Sequence, residues 1–491
     1  MSWKRSLALA VCVCLLPLYA LALDGPVYEV FVASFADGDG DRRGDLRGLR
    51  EKLPYISSLH VDGLWLMPVS PSPSYHKYDV TDYQAIDPAY GTMADFTLLA
   101  QSCAALDISL ILDLVINHTS SLHPWFLAAC QSLKDGLESP YRDYYRFSQD
   151  TGHPVPGLSG WFYYGSFGPH MPDLNLDSPL VRGEIKAIMA FWLRAGADGF
   201  RLDGTTHYYE DNLTQNAAFL GWLNREAKAL KPDAYIVAEA WKPEGVVLGM
   251  YQSGVDSFFN FSFSGPTGIL AESLRGQKGR SLASKVADWQ AKVRLANPQA
   301  LDAPFLSNHD MGRSAGYLSY NQQKMKLAAA LLLTMPGIPF IYYGEELGMS
   351  GSGLDENKRL PMLWQGDPLL NCLPPQGADQ DQRLKAGVFD QERDPASLLS
   401  FYRELLKIRA AHPLLKDGLT EAVDLGSPAL AAWRCAAGEE SLLIVHNLSD
   451  AQAQTSLTQG GISFAWNTGS GAPLVSGESL ILPPLSGCII R

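Results

Sequence analysis

The sequence predicts an α/β protein: a closed (β/α)8 barrel, a small domain inserted after the third strand, and a C-terminal β-sandwich. Three observations carry that expectation. From residue 27 onward, short apolar runs rich in β-branched and aromatic residues alternate with longer segments of helical period. About sixty residues rich in Gly, Pro and aromatics interrupt the alternation after the third run, and beyond His412 the pattern changes to short strands broken by Gly and Pro. Strand–helix alternation implies parallel strands joined by crossover helices, and eight such units close a barrel.

The eight runs lie at 27–32, 63–67, 109–115, 199–203, 235–240, 257–261, 304–308 and 339–343, with helical patterns at 46–58, 179–195, 216–230, 322–334 and 397–411. The barrel is thereby assigned to 23–118 and 179–411. The stretch 119–178 carries Trp161-Phe-Tyr-Tyr164 and Pro169-His-Met-Pro172. Loops of that length in compact domains are usually functional, so it is assigned to a small domain over the barrel mouth. Residues 412–491, with alternating runs at 430–434, 441–445 and 479–482, read as the β-sandwich.

Ahead of the first strand stand Lys4-Arg5, an apolar run over 7–21, and Ala20-Leu-Ala22. That is the order of an export signal, with cleavage expected after Ala22 and delivery to the periplasm or the medium. The run is shorter than the ~20 residues of a membrane span, and no comparable run follows. Beyond the signal remain Cys103, Cys130, Cys372, Cys435 and Cys488, too sparse for a disulfide scaffold and without C-x-x-C pairs. Their odd number leaves at least one free thiol; Cys435 and Cys488 are either a pair or two buried thiols.

The 491 residues carry 39 Lys+Arg against 52 Asp+Glu, a formal charge of −13, and 46% of positions are apolar. This composition excludes disorder. The negative field argues against nucleic acid or an anionic membrane as partner and suits a neutral or cationic ligand.

In a parallel barrel the chemistry sits at the C-terminal ends of the strands. Those ends read Asp113-Leu-Val-Ile-Asn117-His118 on the third strand, Arg201-Leu-Asp203 on the fourth, Glu239-Ala-Trp241 on the fifth and Asn308-His309-Asp310 on the seventh. One such Asp is usually a solvated group or a helix cap. Three carboxylates closing three apolar strands are different, because uncompensated buried charge is costly and a core without function would not collect it. No His-rich metal spacing accompanies them.

With these segments the chain resembles the α-amylase family of glycoside hydrolases. The resemblance extends to Met171-Pro-Asp173-Leu-Asn175, Gly63-Leu-Trp-Leu-Met-Pro-Val69, Tyr75-His-Lys-Tyr78-Asp79-Val-Thr-Asp82-Tyr83 and Gly337-Ile-Pro-Phe-Ile-Tyr-Tyr-Gly-Glu345, so it spans essentially the whole mature chain. It implies Asp203 as nucleophile, Glu239 as general acid/base, and Asp310 as the group that fixes sugar hydroxyls and stabilises the transition state. The chemistry needs that division, since one carboxyl protonates the leaving oxygen while another attacks the anomeric carbon from the opposite face. Retention follows, with a carboxyl separation of roughly 5 to 5.5 Å. Arg201, two residues before Asp203, projects to the same side of the strand and favours the ionised nucleophile; an ion pair with Asp113 is compatible with that role.

The resemblance further places His118 and His309 on hydroxyls of the sugar being cleaved and Tyr78 against its face. Asp79 accepts from hydroxyls or from an Arg. Arg313 and Arg359 resemble loop positions near the site. After Asp203 many relatives read Ala-x-Lys-His, whereas this chain has Gly204-Thr-Thr206-His207. His207 matches starch-cleaving members, while the Lys that grips glucose units on the leaving side is missing. The substrate implied is an α-1,4-glucan or maltooligosaccharide, cleaved internally by a monomer. An exo-acting α-glucosidase or a transglycosylase is the alternative within the family. A catalytically inactive binding subunit is the alternative outside enzymes, and it would have lost one or more carboxylates.

Asp37-Gly-Asp39-Gly-Asp41-Arg-Arg43-Gly-Asp45 spaces carboxylates by two in a Gly-containing turn, which converges oxygens as a calcium loop does. Asp37, Asp39, Asp41 and Asp45, with the main-chain carbonyl of Arg43, are the expected ligands of a structural Ca²⁺. The bidentate Glu of a helix-loop-helix site is absent. Asn117 resembles the family's ligand to a second calcium beneath the inserted domain.

Overall fold

The computed structural model describes residues 23–366, 371–457, 460–469 and 471–491; the export signal expected over 1–22 lies outside them. Seven parallel strands are β1 (Val27–Val30), β2 (Gly63–Leu66), β3 (Ser109–Leu114), β4 (Gly199–Leu202), β5 (Tyr235–Ala238), β6 (Ser257–Phe258) and β7 (Phe340–Tyr342). They pair in the order β6-β5-β4-β3-β2-β1-β7. The gap between β6 and β7 is filled by the segment expected as a strand over 304–308. Ala303 bridges Phe259 and Phe305 bridges Phe340, both in parallel sense. No continuous ladder forms there because Pro304 has no N–H to donate and the chain bends at Leu306. The ring is a TIM barrel.

Alternation along the strands decides what points inward. Glu29, Trp65 and Ile111 are in register across β1, β2 and β3, and Asp113, Arg201 and Val237 across β3, β4 and β5. Val27, Trp65, Ile111, Tyr235 and Val237 pack with Phe259, Phe305 and Phe340 in the barrel interior. The alternate residues meet the outer helices, among them Met93–Ala104, Pro179–Ala195, Leu213–Leu230, Gln322–Thr334 and Leu398–Ala410. Both strand faces are therefore covered, which is why the strands read as continuous apolar runs. The helix expected over 46–58 is two, Leu46–Glu51 and Leu53–Ser58; Pro54 cannot continue the hydrogen-bond ladder and instead opens the second.

Between β3 and Pro179–Ala195 the chain forms the helix Pro124–Asp135 and a small sheet of Phe147–Ser148, Phe162–Tyr163 and His153–Pro154. Its return is stapled to the exit of β3. The Leu174 N–H donates to the Asn117 carbonyl at 2.8 Å, the Thr119 N–H to the Pro172 carbonyl at 3.1 Å, and His118 pairs with Asp173. This staple fixes the inserted segment against the barrel mouth. From Leu419 the chain builds a five-stranded and a three-stranded antiparallel sheet around Leu430, Val445, Leu480, Leu482 and Ile490. Cys103, Cys130, Cys372, Cys435 and Cys488 are all free and buried, so Cys435 and Cys488 do not pair. No helix among the described residues is long and apolar enough to cross a membrane.

Candidate active site

One guanidinium organises the barrel mouth. Arg201 is fully buried on β4, its Cζ 5.2 Å from the centroid of the Trp65 ring in the barrel interior. Its NH1 donates to Asp113 at 2.9 Å and to Asp203 Oδ1 at 2.7 Å, and its NH2 donates to Glu239 Oε2. The side chains of Asp203 and Glu239 are each 13% exposed. They open, with Asp310, onto a single cavity of about 450 Å³ also lined by Phe167, Gly204, Thr206, His207, Trp241 and Lys242. Three strand ends far apart in sequence thus deliver three carboxylates to one space.

The environments of these acids differ. Burial, reinforced by the Asp203 and Asp310 charges and only partly opposed by Arg201, pushes Glu239 up to about 7. Asp310 is half-buried, and although desolvation works against its charge, His309 and Arg359 outweigh it and hold the carboxyl well below the usual carboxylate range. His309 Nε2 lies 3.1 Å from Asp310 Oδ2, and Arg359 NH2 lies 3.2 Å from Oδ1. Burial works against a charged His309, yet Asp310 and Glu29 lift it to about 10. Near neutral pH the site thus holds Glu239 poised to give up a proton and, across the same cavity, Asp310 ionised between fixed cations. That is the separation acid–base chemistry requires.

The remaining sequence-derived candidates fall into distinct places. Tyr78 joins the site: its hydroxyl donates to Asp113 at 3.0 Å and meets His309 Nε2 at 2.7 Å, and its ring stacks on His309. His118 Nε2 faces the Tyr78 carbonyl at 3.1 Å. Asp79 is buried one residue on and accepts from the hydroxyls of Ser72, at 2.6 Å, and Ser74; no Arg reaches it among the described contacts. His207 lines the acid cavity with its ring 4.8 Å from Phe167. Arg359 joins Asp310 to Asp355 and to the Tyr75 hydroxyl. Arg313 does not take part: it is buried against Tyr342 and Tyr343 and donates to the main-chain carbonyls of Tyr343 and Lys358.

Beside β1, oxygens of Asp37, Asp39 and Asp45 come within 4.8 Å of one another. Main-chain N–H groups of Gly40 and Arg42 hold Asp37 at 2.7 Å each, and Gly38 and Gly48 hold Asp45, which also caps the helix Leu46–Glu51. Three hard oxygen donors preset by the backbone fit a calcium ion. Asp41 stands outside the trio, its carboxylate accepting from the Arg43 N–H at 2.6 Å. Asn117 is separate from this loop. It lies under the inserted segment, its amide donating to Ser166 at 3.3 Å beside Asp173, which burial pushes up to about 6.

Sequence reasoning missed Glu29, the buried acid behind His309, and the cavity walls Phe167 and Lys242. A lone acid inside the apolar run Val27-Tyr-Glu29-Val30 was the available signal for the first. Nothing local marks Phe167, which depends on how the inserted segment folds back.

A parallel barrel whose mouth gathers three acids about one arginine is of the kind that glycoside hydrolases carry. The family profile "Alpha amylase, catalytic domain" matches residues 29–418. "Alpha-amylase 3" of Dictyoglomus thermophilum is 41% identical over 439 residues, covering 86% of this chain and 84% of the relative. The structure of Eubacterium rectale Amy13B superposes with a TM-score of 0.92 at 40% identity, covering 96% of each chain. A "4-alpha-glucanotransferase" of Thermotoga maritima is 31% identical, covering 86% of this chain and 95% of the relative. The chain belongs to the α-amylase family of glycoside hydrolases.

Proposed function

We propose that the protein is an exported, monomeric hydrolase that cleaves α-1,4 bonds inside starch-like glucans and maltodextrins with retention of configuration. Asp203 attacks the anomeric carbon while Glu239 passes its proton to the departing oxygen. A glycosyl ester on Asp203 results, and Glu239, now ionised, draws a proton from water as the water oxygen attacks the same carbon and the ester bond breaks. Asp310, with His309 and Arg359 behind it, accepts hydroxyl hydrogen bonds of the distorted sugar. Tyr78 and His118 wall that sugar.

The observation that supports this reading best is the pairing at one cavity of Asp203, hydrogen-bonded to Arg201, with Glu239, which burial lifts to about 7 in spite of the same guanidinium. Asp37, Asp39 and Asp45, with the expected contributions of Asp41 and the Arg43 carbonyl, would hold a structural Ca²⁺ next to β1. It would neutralise their mutual repulsion and fix the loop. The relative named as a glucanotransferase supports a second reading in which a sugar replaces water as acceptor. A time course on amylose separates them: long early products support internal hydrolysis, glucose alone indicates an exo-acting enzyme, and products longer than the input indicate transfer.

A further inference from the structure

Glu29 takes no part in the chemistry above, yet this acid lies inside the barrel and not on its surface. It is the third residue of β1 and 1% exposed, in register with Trp65 on β2 and Tyr342 on β7. An isolated carboxylate is costly in such surroundings and needs a charged or hydrogen-bonding partner. Among the described contacts its carboxylate has one hydrogen-bond partner, Nδ1 of His309, on a ring that is itself fully buried.

The hydrogens around His309 can be counted. The Tyr78 hydroxyl has one proton, which it donates to the Asp113 carboxylate at 3.0 Å. Its oxygen is left to accept, from Arg201 NH1 at 3.4 Å and from His309 Nε2 at 2.7 Å. Nε2 also lies 3.1 Å from Asp310 Oδ2. That nitrogen faces two acceptors and carries a hydrogen, while Nδ1 faces Glu29 and needs another. A neutral imidazole has one N–H and an imidazolium two. The electrostatics agree: burial opposes the charge, but Asp310 and then Glu29 overcome it and lift His309 to about 10. The other charges nearby stand one group further out, Asp113 and Arg201 beyond Tyr78 and Arg359 beyond Asp310. Trp65, edge-on to the ring at 5.6 Å, brings no titratable group.

We propose that Glu29 is a positioning residue that keeps His309 an imidazolium throughout the working pH range, so that Asp310 meets the sugar as a carboxylate held by two fixed cations. The inference rests on the reading of Asp310 as the group that holds the distorted sugar. Glutamate is what makes the charge permanent. An amide at this position would donate to Nδ1 and satisfy a neutral ring whose one N–H sits on Nε2, whereas a carboxylate only accepts. With the charge in place Asp310 is backed at Oδ2 by His309 and at Oδ1 by Arg359. Charge-assisted hydrogen bonds of this kind are roughly twice as strong as neutral ones. Asp310 so held keeps its place and its negative charge while positive charge develops on the sugar.

The test compares the full chain with Glu29→Gln, which keeps the shape and removes the charge, and with Glu29→Asp, which keeps the charge. Nuclear magnetic resonance of isotope-labelled histidine reads the ring directly, the His309 signal being assigned by its loss in His309→Gln. It stays that of an imidazolium from pH 5 to 9 in the parent and in Glu29→Asp, and titrates inside that window in Glu29→Gln. On maltopentaose, the ratio of kcat/KM for Glu29→Gln to that of the parent falls about tenfold between pH 5.5 and pH 8, as His309 loses its proton. The same ratio for Glu29→Asp stays flat. A neutral His309 in the parent overturns the proposal whether or not the variants fold. A loss in Glu29→Gln that is the same at every pH also overturns it, since Glu29 would then only support the barrel. Failure of the underlying reading looks different: an Asp310→Asn variant would hydrolyse maltopentaose at near the parental rate, whatever the state of His309 in the parent.

Discussion

Replacing Glu239 by Gln keeps the shape of the side chain and removes its proton. In the parent the carboxyl is 13% exposed and burial carries it from 4.5 to about 7, a difference of ~3 kcal/mol in favour of the protonated form. As the essential acid of the free enzyme it sets the alkaline limb of kcat/KM, so the rate falls about tenfold per pH unit above about 7. The variant loses that limb, and its activity on maltopentaose drops by about 10² to 10⁴-fold, the usual contribution of a positioned acid. First-turnover fluoride release from α-maltosyl fluoride, whose leaving group needs no proton, stays far closer to the parent. The assay is initial rates from pH 4 to 9 with a rapid-quench measurement of fluoride. A limb that persists near 7 in the variant, or a fluoride burst that falls as far as maltopentaose cleavage, refutes the reasoning.

Other expectations follow from the same contacts. Asp203→Asn lowers turnover by at least ~10⁴-fold while its near-ultraviolet circular dichroism matches the parent; near-parental hydrolysis by a folded variant contradicts the assignment. Chelation lowers thermal stability, because a cation present at a hundredfold its dissociation constant contributes ~2.7 kcal/mol. Asp39→Asn reduces that response, and a melting temperature indifferent to calcium and chelator speaks against the site. Glu345 is buried, accepts from Tyr402 at 3.0 Å, and is pushed up to about 8 chiefly by burial. The folded state then holds a proton that the unfolded state releases above pH 4.5, so stability falls as pH rises from about 4.5 to 8. Glu345→Gln removes ~2–5 kcal/mol of that slope; denaturant midpoints at pH 5 and pH 9 that shift equally in parent and variant contradict it.

The barrel was legible because its strands are buried on both faces and its helices carry a 3.6-residue stripe, two periods a sequence displays directly. The limits of legibility were physical too. The run 304–308 has strand composition, but Pro304 and the bend at Leu306 confine its pairing to two bridges. The carboxylates were found through their position at strand ends. Their supports were not, because Glu29 reaches His309 across 280 residues and Phe167 reaches the cavity only when the inserted segment is stapled to β3. Arg313 shows the opposite failure. An arginine close to Asp310 in sequence spends its donors on the backbone of the β7 exit loop, and no local pattern distinguishes that fate from a role in the cleft.

The central claim is a covalent bond between sugar and Asp203. Incubation with 5-fluoro-α-glucosyl fluoride followed by peptide mapping by mass spectrometry tests it most directly. A single glycosyl adduct on the peptide containing Asp203, lost in Asp203→Asn, is the expected result. An adduct on another residue, or turnover with inversion and no adduct, contradicts the account.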